Sequence, residues 1–234
     1  MRKPVLLIHI LSIFISTLII SGCGGSHQAR SVDLKNALLI NPDILEKGTS
    51  SEQALYRYLN PNINPADYTK VLIDPVIISK QAELTVGELD NYQKLAHNFC
   101  VYLVEELSDH LTIVTVAQPG TMRIQAAIID ADSSKPIRNI LSYTPIGIGA
   151  DLMKYAATGK QTAVGEITVE MKVTDALSGQ LLGAAVDRRI GGKSPKDIVD
   201  VWQNADNALK YWAKRLTFVI CKGKGMQGCV NPHD

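Results

Sequence analysis

The stretch "EITVEMKVTD", Glu166 to Asp175, alternates Ile167, Val169, Met171 and Val173 with Glu166, Thr168, Glu170, Lys172 and Thr174. Successive side chains of a strand point to opposite faces, so this pattern predicts a strand with one buried and one wet face. Ser178-Gly179 supplies a turn into "QLLGAAVDRR", Gln180 to Arg189, and the two segments read as an antiparallel hairpin. Its end, Asp187 to Arg189, reads as a charged strand end.

Working outward, "LTIVTV" at Leu111 to Val116 and "TMRIQAAIID" at Thr121 to Asp130 read as two further strands around a Pro119-Gly120 turn signal. "ADYTKVLIDPVIIS", Ala66 to Ser79, reads as a buried strand in which Pro75 marks a bulge or an edge. From Val86 to His110, Leu89, Tyr92, Leu95, Ala96, Phe99, Cys100, Leu103 and Leu107 recur at spacings of three and four, the pattern of an amphipathic helix. A second helix opens at "SPKD", with Ser194 as N-cap, Pro195 at the first helical position and Asp197 in the first turn. Its apolar stripe runs through Ile198, Val201, Trp202, Ala205, Ala208, Leu209, Trp212, Ala213, Leu216, Val219 and Ile220. This order predicts an α+β domain, a mostly antiparallel sheet with two long helices packed on one face. Repeated strand–helix alternation, which a doubly wound nucleotide fold requires, is missing.

The 234 residues are 46% hydrophobic and 20% charged, an ordinary globular composition for one domain with a short extension. Net charge is +1, and falls to −1 if Arg2 and Lys3 are removed, without the basic excess that nucleic-acid binding uses. Arg2 and Lys3, the apolar run Val5 to Ile20, and the small residues Ser21-Gly22 read as an export signal. His9, Ser12, Ser16 and Thr17 dilute the run, and about 20 apolar residues are needed to span a bilayer. Residues 24–50 are polar and Gly/Ser-containing apart from "ALLI" at Ala37 to Ile40, and read as a flexible tether. The expected division is therefore 1–22 signal peptide, 23–50 tether and 51–234 a single domain.

The end of the apolar run, "ISGC" at Ile20 to Cys23, resembles the lipobox of bacterial lipoproteins. That resemblance implies cleavage before Cys23 and acylation of Cys23, with several chains on one residue giving stable anchoring. It also implies that Gly24, standing where Asp would favour retention in the inner membrane, directs the protein to the outer membrane, facing the periplasm. In that oxidising compartment Cys221 and Cys229 are expected to close "CKGKGMQGC" as a disulfide, with Gly223, Gly225 and Gly228 letting the chain turn back. Cys100 is expected to remain a buried thiol.

No chemistry-bearing motif is complete. "GIGAD" at Gly147 to Asp151 lacks the third Gly of a dinucleotide fingerprint, and "TGKQT" at Thr158 to Thr162 lacks the Walker pattern, so both read as loops. Among the histidines, His27 falls in the tether, His233 in the tail, His97 on the helix's solvent side and His110 at its C-terminus, where the dipole favours a cation. No cluster has metal-ligand spacing, no nucleophile sits in a recognisable elbow, and no cofactor is expected. Asp130/Asp132 and Glu166/Glu170 can each share a strand face, as acid/base pairs do, but solvated strand faces look the same. The insertion Pro136 to Thr158 is longer than the usual loop and carries Tyr143, Ile146, Ile148, Met153 and Tyr155 without strand periodicity. It reads either as a partner-binding surface or as cover for the sheet's open end.

The phrases "DYTKVLIDPV", "QPGTMRIQAAIIDAD", "GEITVEMKVTDALSGQLLGAAVDRR" and "VWQNADNALKYWAKRL", together with the lipobox, resemble a family of bacterial lipoproteins designated domain of unknown function 3313. The resemblance runs from about Leu55 to Leu216 and implies location and fold, with no activity to carry over. "VTDALSGQLLGAA" before a long helix is similar, at motif level, to auxiliary lipoproteins of transport systems and to the curli-secretion lipoprotein. The expected function is that of a non-enzymatic envelope lipoprotein that binds another envelope protein. The alternatives are a small-molecule or lipid carrier, distinguished by an apolar cavity, and a cell-wall-acting enzyme, distinguished by convergent polar residues in a cleft.

Overall fold

The computed structural model describes residues 26–35, 37–79, 84–130, 166–191 and 201–232. Nine strands and two long helices occur among them: β1 (His27–Gln28), β2 (Glu46–Lys47), β3 (Tyr56–Leu59), β4 (Lys70–Ile73), β5 (Ile77–Ile78), α1 (Val86–Ser108), β6 (Thr112–Ile113), β7 (Thr121–Asp130), β8 (Glu166–Asp175), β9 (Leu181–Ile190) and α2 (Val201–Gly223). The sheet order is β2-β3-β9-β8-β7-β4-β6, with β1 also on the edge of β9 and β5 on that of β7. Pairings of β4 with β6, β4 with β7 and β5 with β7 are parallel, and the rest are antiparallel. The α+β class therefore stands, on a mixed, mostly antiparallel sheet.

Strand β8 sits between β7 and β9 along most of its length. Asp175 ends it by accepting from the backbone N–H groups of Leu177 and Ser178 at 3.0 and 2.7 Å, which starts the hairpin turn. Those hydrogen bonds, from Ser178 first, hold its carboxyl below the ordinary aspartate pKa. Gly179 completes the turn at φ 74°, in the left-handed region that favours glycine. The segment around Pro75 is broken into β4 and β5, with Asp74–Val76 between them, as a proline that cannot donate to the ladder requires.

Helix α1 starts in a capping box: the Glu88 amide donates to Thr85 Oγ1 and the Thr85 amide to Glu88 Oε2. Tyr92, Leu95, Ala96, Phe99, Leu103 and Leu107 of α1 share one core with Ala205, Ala208, Leu209, Trp212 and Ala213 of α2. Ile124 and Ile128 of β7 and Ile167 and Val169 of β8 complete it. Phe99, Leu103 and Leu107 are fully buried, and each such side chain stabilises the fold by about 1.5–3 kcal/mol relative to exposure. Asp206 clasps the two helices, accepting from Asn98 Nδ2 at 2.9 Å, from the Tyr102 hydroxyl at 2.8 Å and from Lys210 Nζ at 3.0 Å. Burial alone would raise its pKa, but these donors outweigh burial and hold the carboxyl below the usual aspartate range.

Three expectations are corrected here. The segment read as a tether is docked from Ser26 onward: β1 pairs with Ile190 and Arg189, and Ile40 packs on Ala184 and Val186, flanked by Val32, Leu34, Leu39 and Leu45. These apolar residues are spaced too irregularly to show a period, so the segment reads as polar on average. The β8 face expected to be wet is consequently not: Thr168, Glu170 and Thr174 are buried. Glu170 lies under the docked segment, its Oε2 accepting from the Leu38 and Leu39 amides at 2.8 and 3.0 Å. Cys100 is only half-buried, its thiol 3.9 Å from the Asp74 carbonyl.

After α2, Cys221 and Cys229 are joined by a disulfide with a Cα–Cα distance of 5.8 Å. Gly225 and Gly228, at φ 68° and 76°, turn the loop back.

Candidate functional site

The small residues of β9 create the molecule's most distinctive concavity. Across the sheet, Arg57, Ala185 and Met171 form one rung and Leu59, Gly183 and Val173 the next. In antiparallel pairs, residues directly opposite share a face, so all six present toward α2, whose Trp212, Leu216 and Val219 line the other side. Gly183 and Ala185 raise almost no bulk against the helix. A slot of about 210 Å³ remains between helix and sheet. Met171, Val173 and Ala185 are only half-buried, although they sit in central strands under a helix. Arg57 and Arg215 line the same slot, as does the exposed Glu52.

One end of the slot is built on Asp187. Its Oδ1 accepts from Gln28 Nε2 at 2.8 Å and from the Leu55 amide at 3.1 Å, and its Oδ2 accepts from Trp212 Nε1 at 2.8 Å. Three separate pieces of chain, β1, the entry to β3 and α2, therefore converge on one carboxylate. Burial pushes the Asp187 pKa up, against the opposing pull of the Trp212, Gln28 and Leu55 hydrogen bonds and the Arg189 charge. Arg189 is 1% exposed. Its Nε donates to Ser26 Oγ at 3.0 Å and its Nη2 to the Ser26 carbonyl, while the guanidinium lies 3.7 Å from the centre of the Tyr211 ring.

The reading of Asp187–Arg189 as a charged strand end is thus corrected. Asp187 and Arg189 are buried on the helix side, and Arg188 alone turns to the other face, where it pairs with Glu166. Counting the alternation onward from Gly183 and Ala185 was the signal that could have placed them. Glu166 and Glu170 are engaged separately: Glu166 is ion-paired with Arg188 and Glu170 accepts from backbone amides. Cys23 and the insertion residues Tyr143, Ile146, Ile148, Met153 and Tyr155 lie outside the described residues, as do "GIGAD", "TGKQT", Asp132 and the Ser194 cap. Among the described residues no group of three or more His, Cys, Asp or Glu is placed to hold a metal ion, and no helix is long and apolar enough to cross a membrane. A broader, more polar groove of about 700 Å³ runs beside the C-terminal halves of the two helices, past His110, Lys210, Lys214 and Asn231.

The class so defined is an α+β domain with a mixed sheet, two long helices and an apolar slot under the second. Residues 35–216 match the family described as "Protein of unknown function (DUF3313)", and the chain belongs to that family. No curated protein matches it. Among solved structures it is similar to the PelC dodecamer from Paraburkholderia phytofirmans, at 9% identity and a TM-score of 0.39, covering 73% of this chain and 96% of that one. It is also similar to a DUF330 protein from Xanthomonas campestris, at 13% identity and a TM-score of 0.40, covering 71% and 92%. A third is a DUF4136 family protein from Bacteroides thetaiotaomicron, at 10% identity and a TM-score of 0.34, covering 72% and 95%.

Proposed function

We propose that the chain is an envelope lipoprotein, cut before Cys23, acylated there, anchored in the outer membrane on its periplasmic side, and acting by binding rather than catalysis. The observation that carries the anchoring is the sequence "ISGC" after a short apolar run. Two structural facts support it. The Cys221–Cys229 disulfide suits an oxidising compartment. Ser26 is buried and held by Arg189, so an acyl group on Cys23 is separated from the folded domain by at most about 10 Å of chain. The domain would then rest against the bilayer instead of hanging from a long tether. In cells given labelled palmitate, Cys23→Ser should give an unlabelled, uncleaved or soluble product. A substituted protein that is still processed and acylated would remove the assignment.

The binding partner in this reading is another envelope protein, and its docking surface is the insertion Pro136 to Thr158, with Tyr143, Ile146, Ile148, Met153 and Tyr155 as anchors. Desolvated aromatic and aliphatic anchors dominate the energy of most such surfaces. Tyr143→Ser combined with Ile146→Ser should abolish in-cell cross-linking to the partner while shifting the melting temperature little. Unfolding of the double variant would make the insertion core cover; cross-linking that persists would place the partner elsewhere.

A further inference from the structure

We propose that the slot beneath α2 binds the single apolar tail of an anionic amphiphile of the fatty-acid class, with Arg57 holding its carboxylate at the mouth. The inference goes beyond the reading above and can fail separately from it, because it concerns Met171, Val173 and the Leu216–Val219 turn rather than Cys23 or the insertion.

Three features select this ligand. The first is size: about 210 Å³ exceeds the roughly 150 Å³ apolar cavity that takes up benzene, yet falls below the roughly 300–1,000 Å³ of sites for drug-sized ligands. It admits one chain of several carbons and is too small to hold both tails of a two-tailed lipid. The second is chemistry: Met171, Val173, Ala185, Leu216 and Val219 supply carbon and sulfur surface, and the one buried acid of the lining, Asp187, already has its oxygens occupied by Gln28, Leu55 and Trp212. The interior therefore offers a ligand apolar surface without a free charge. The third is charge at the mouth. Arg57 is half-buried and makes no ion pair with any described residue. Arg215 also lines the slot, but its guanidinium donates to Asn231 Oδ1 and lies 5.0 Å from the Phe218 ring centre, both residues of the neighbouring groove, which leaves Arg57 as the cation of the mouth. Glu52 shares the lining and Glu46 stands opposite Arg57 across β2 and β3, but both are exposed and neither is within ion-pair distance of Arg57. A half-buried guanidinium gains most from a partner that neutralises it, and a carboxylate matches the fork of an arginine.

The test uses the full-length protein held in amphipol and a decanoic acid analogue with a diazirine at its chain end. After illumination, peptide mapping should place the label on the segments containing Met171–Val173 and Leu216–Val219. Decanoate should compete at least about tenfold better than decanol, since a charge-assisted hydrogen bond is worth more than one decade in affinity. Arg57→Gln should lower labelling about tenfold and erase that preference, and Ala185→Phe, which fills the slot, should abolish labelling. Arg57 lies in the short strand β3 and lacks an ion-pair partner among the described residues, so its variant stays informative even if Ala185→Phe fails to fold. Label found mainly on other segments, equal competition by decanol, or labelling unchanged in folded Arg57→Gln would each overturn the proposal.

Discussion

Asp187→Ala is expected to lose about 3–5 kcal/mol of stability, the cost of removing one member of a buried charged network. The substitution removes no large side chain, so the loss arises from what it leaves behind. Trp212 Nε1, the Leu55 amide and the Gln28 amide group lose their acceptor, and the almost fully buried Arg189 loses a neighbouring negative charge. A buried donor without an acceptor forfeits about 1–3 kcal/mol. Asp187→Asn should fall between the two proteins: one oxygen still serves Gln28 and Leu55, but the new NH₂ faces the Trp212 donor. Urea titration followed by the fluorescence of Trp202 and Trp212 reads both variants. A loss below about 1 kcal/mol for Asp187→Ala would mean that packing of α2 alone holds the three pieces together.

The same residue gives the stability a pH dependence with a definite sign. Burial raises the folded-state pKa of Asp187 above that of the unfolded chain. Between those two values the folded state holds more protons, so stability falls as pH rises through the window and is retained below it. The window opens at the ordinary aspartate value of about 3.9 and extends upward. Asp206 acts in the opposite direction, because its pKa is lowered and its contribution is lost as pH falls below that same ordinary value. The difference in stability between the wild type and Asp187→Asn should therefore shrink as pH is raised from about 4, a slope that Asp206 cannot produce.

What could be read from the sequence followed the length of each periodic run. Strand β8, strand β7 and helix α1 each repeat their pattern over ten residues or more, and their predicted and observed spans agree within two residues. Strands β1, β2 and β3, of two, two and four residues, are too short to carry a period, whereas β5 and β6, of two residues each, are what remains of the strands read at Ala66 to Ser79 and Leu111 to Val116. The parallel pairings of β4 and β5 were hidden for a different reason: the order of elements was legible, but the neighbour chosen across the sheet is a tertiary fact. The slot was least legible of all. It exists because Gly183 and Ala185 are small, and small residues leave no hydrophobic signal. Its Arg57 comes from β3 and its other wall from Trp212, Leu216 and Val219 of α2, and only the packing of helix on sheet brings them together. Asp187 and Arg189 were misread because charge in a sequence is taken for exposure, a rule that fails where charges are paired.

Glu170→Ala is expected to loosen the docked N-terminal segment at Leu38 and Leu39 and cost about 2–3 kcal/mol, roughly two charge-assisted hydrogen bonds less the gain from no longer burying a carboxylate. The two terms can be separated. Glu170 is fully buried, and Oε2 alone receives the Leu38 and Leu39 amides, while Oε1 has no hydrogen-bond partner. Glu170→Gln keeps an acceptor for both amides and removes the charge, so it should lose less than Glu170→Ala, about 1 kcal/mol. Global stability is only half of the test, because Ile40 still packs on Ala184 and Val186 in either variant. Hydrogen exchange resolves the rest: the Leu38 and Leu39 amides should lose protection in Glu170→Ala and retain most of it in Glu170→Gln. The Gly48 amide, bonded to the Leu55 carbonyl at 2.9 Å beyond the clasp, should be affected less in both. If Leu38 and Leu39 stay protected in Glu170→Ala, apolar packing holds the segment and the buried glutamate is not its clasp. If protection is lost from Ser26 through Ile40 together, the carboxylate holds the whole segment down, and the close approach of Ser26 to the sheet depends on a glutamate 144 residues away.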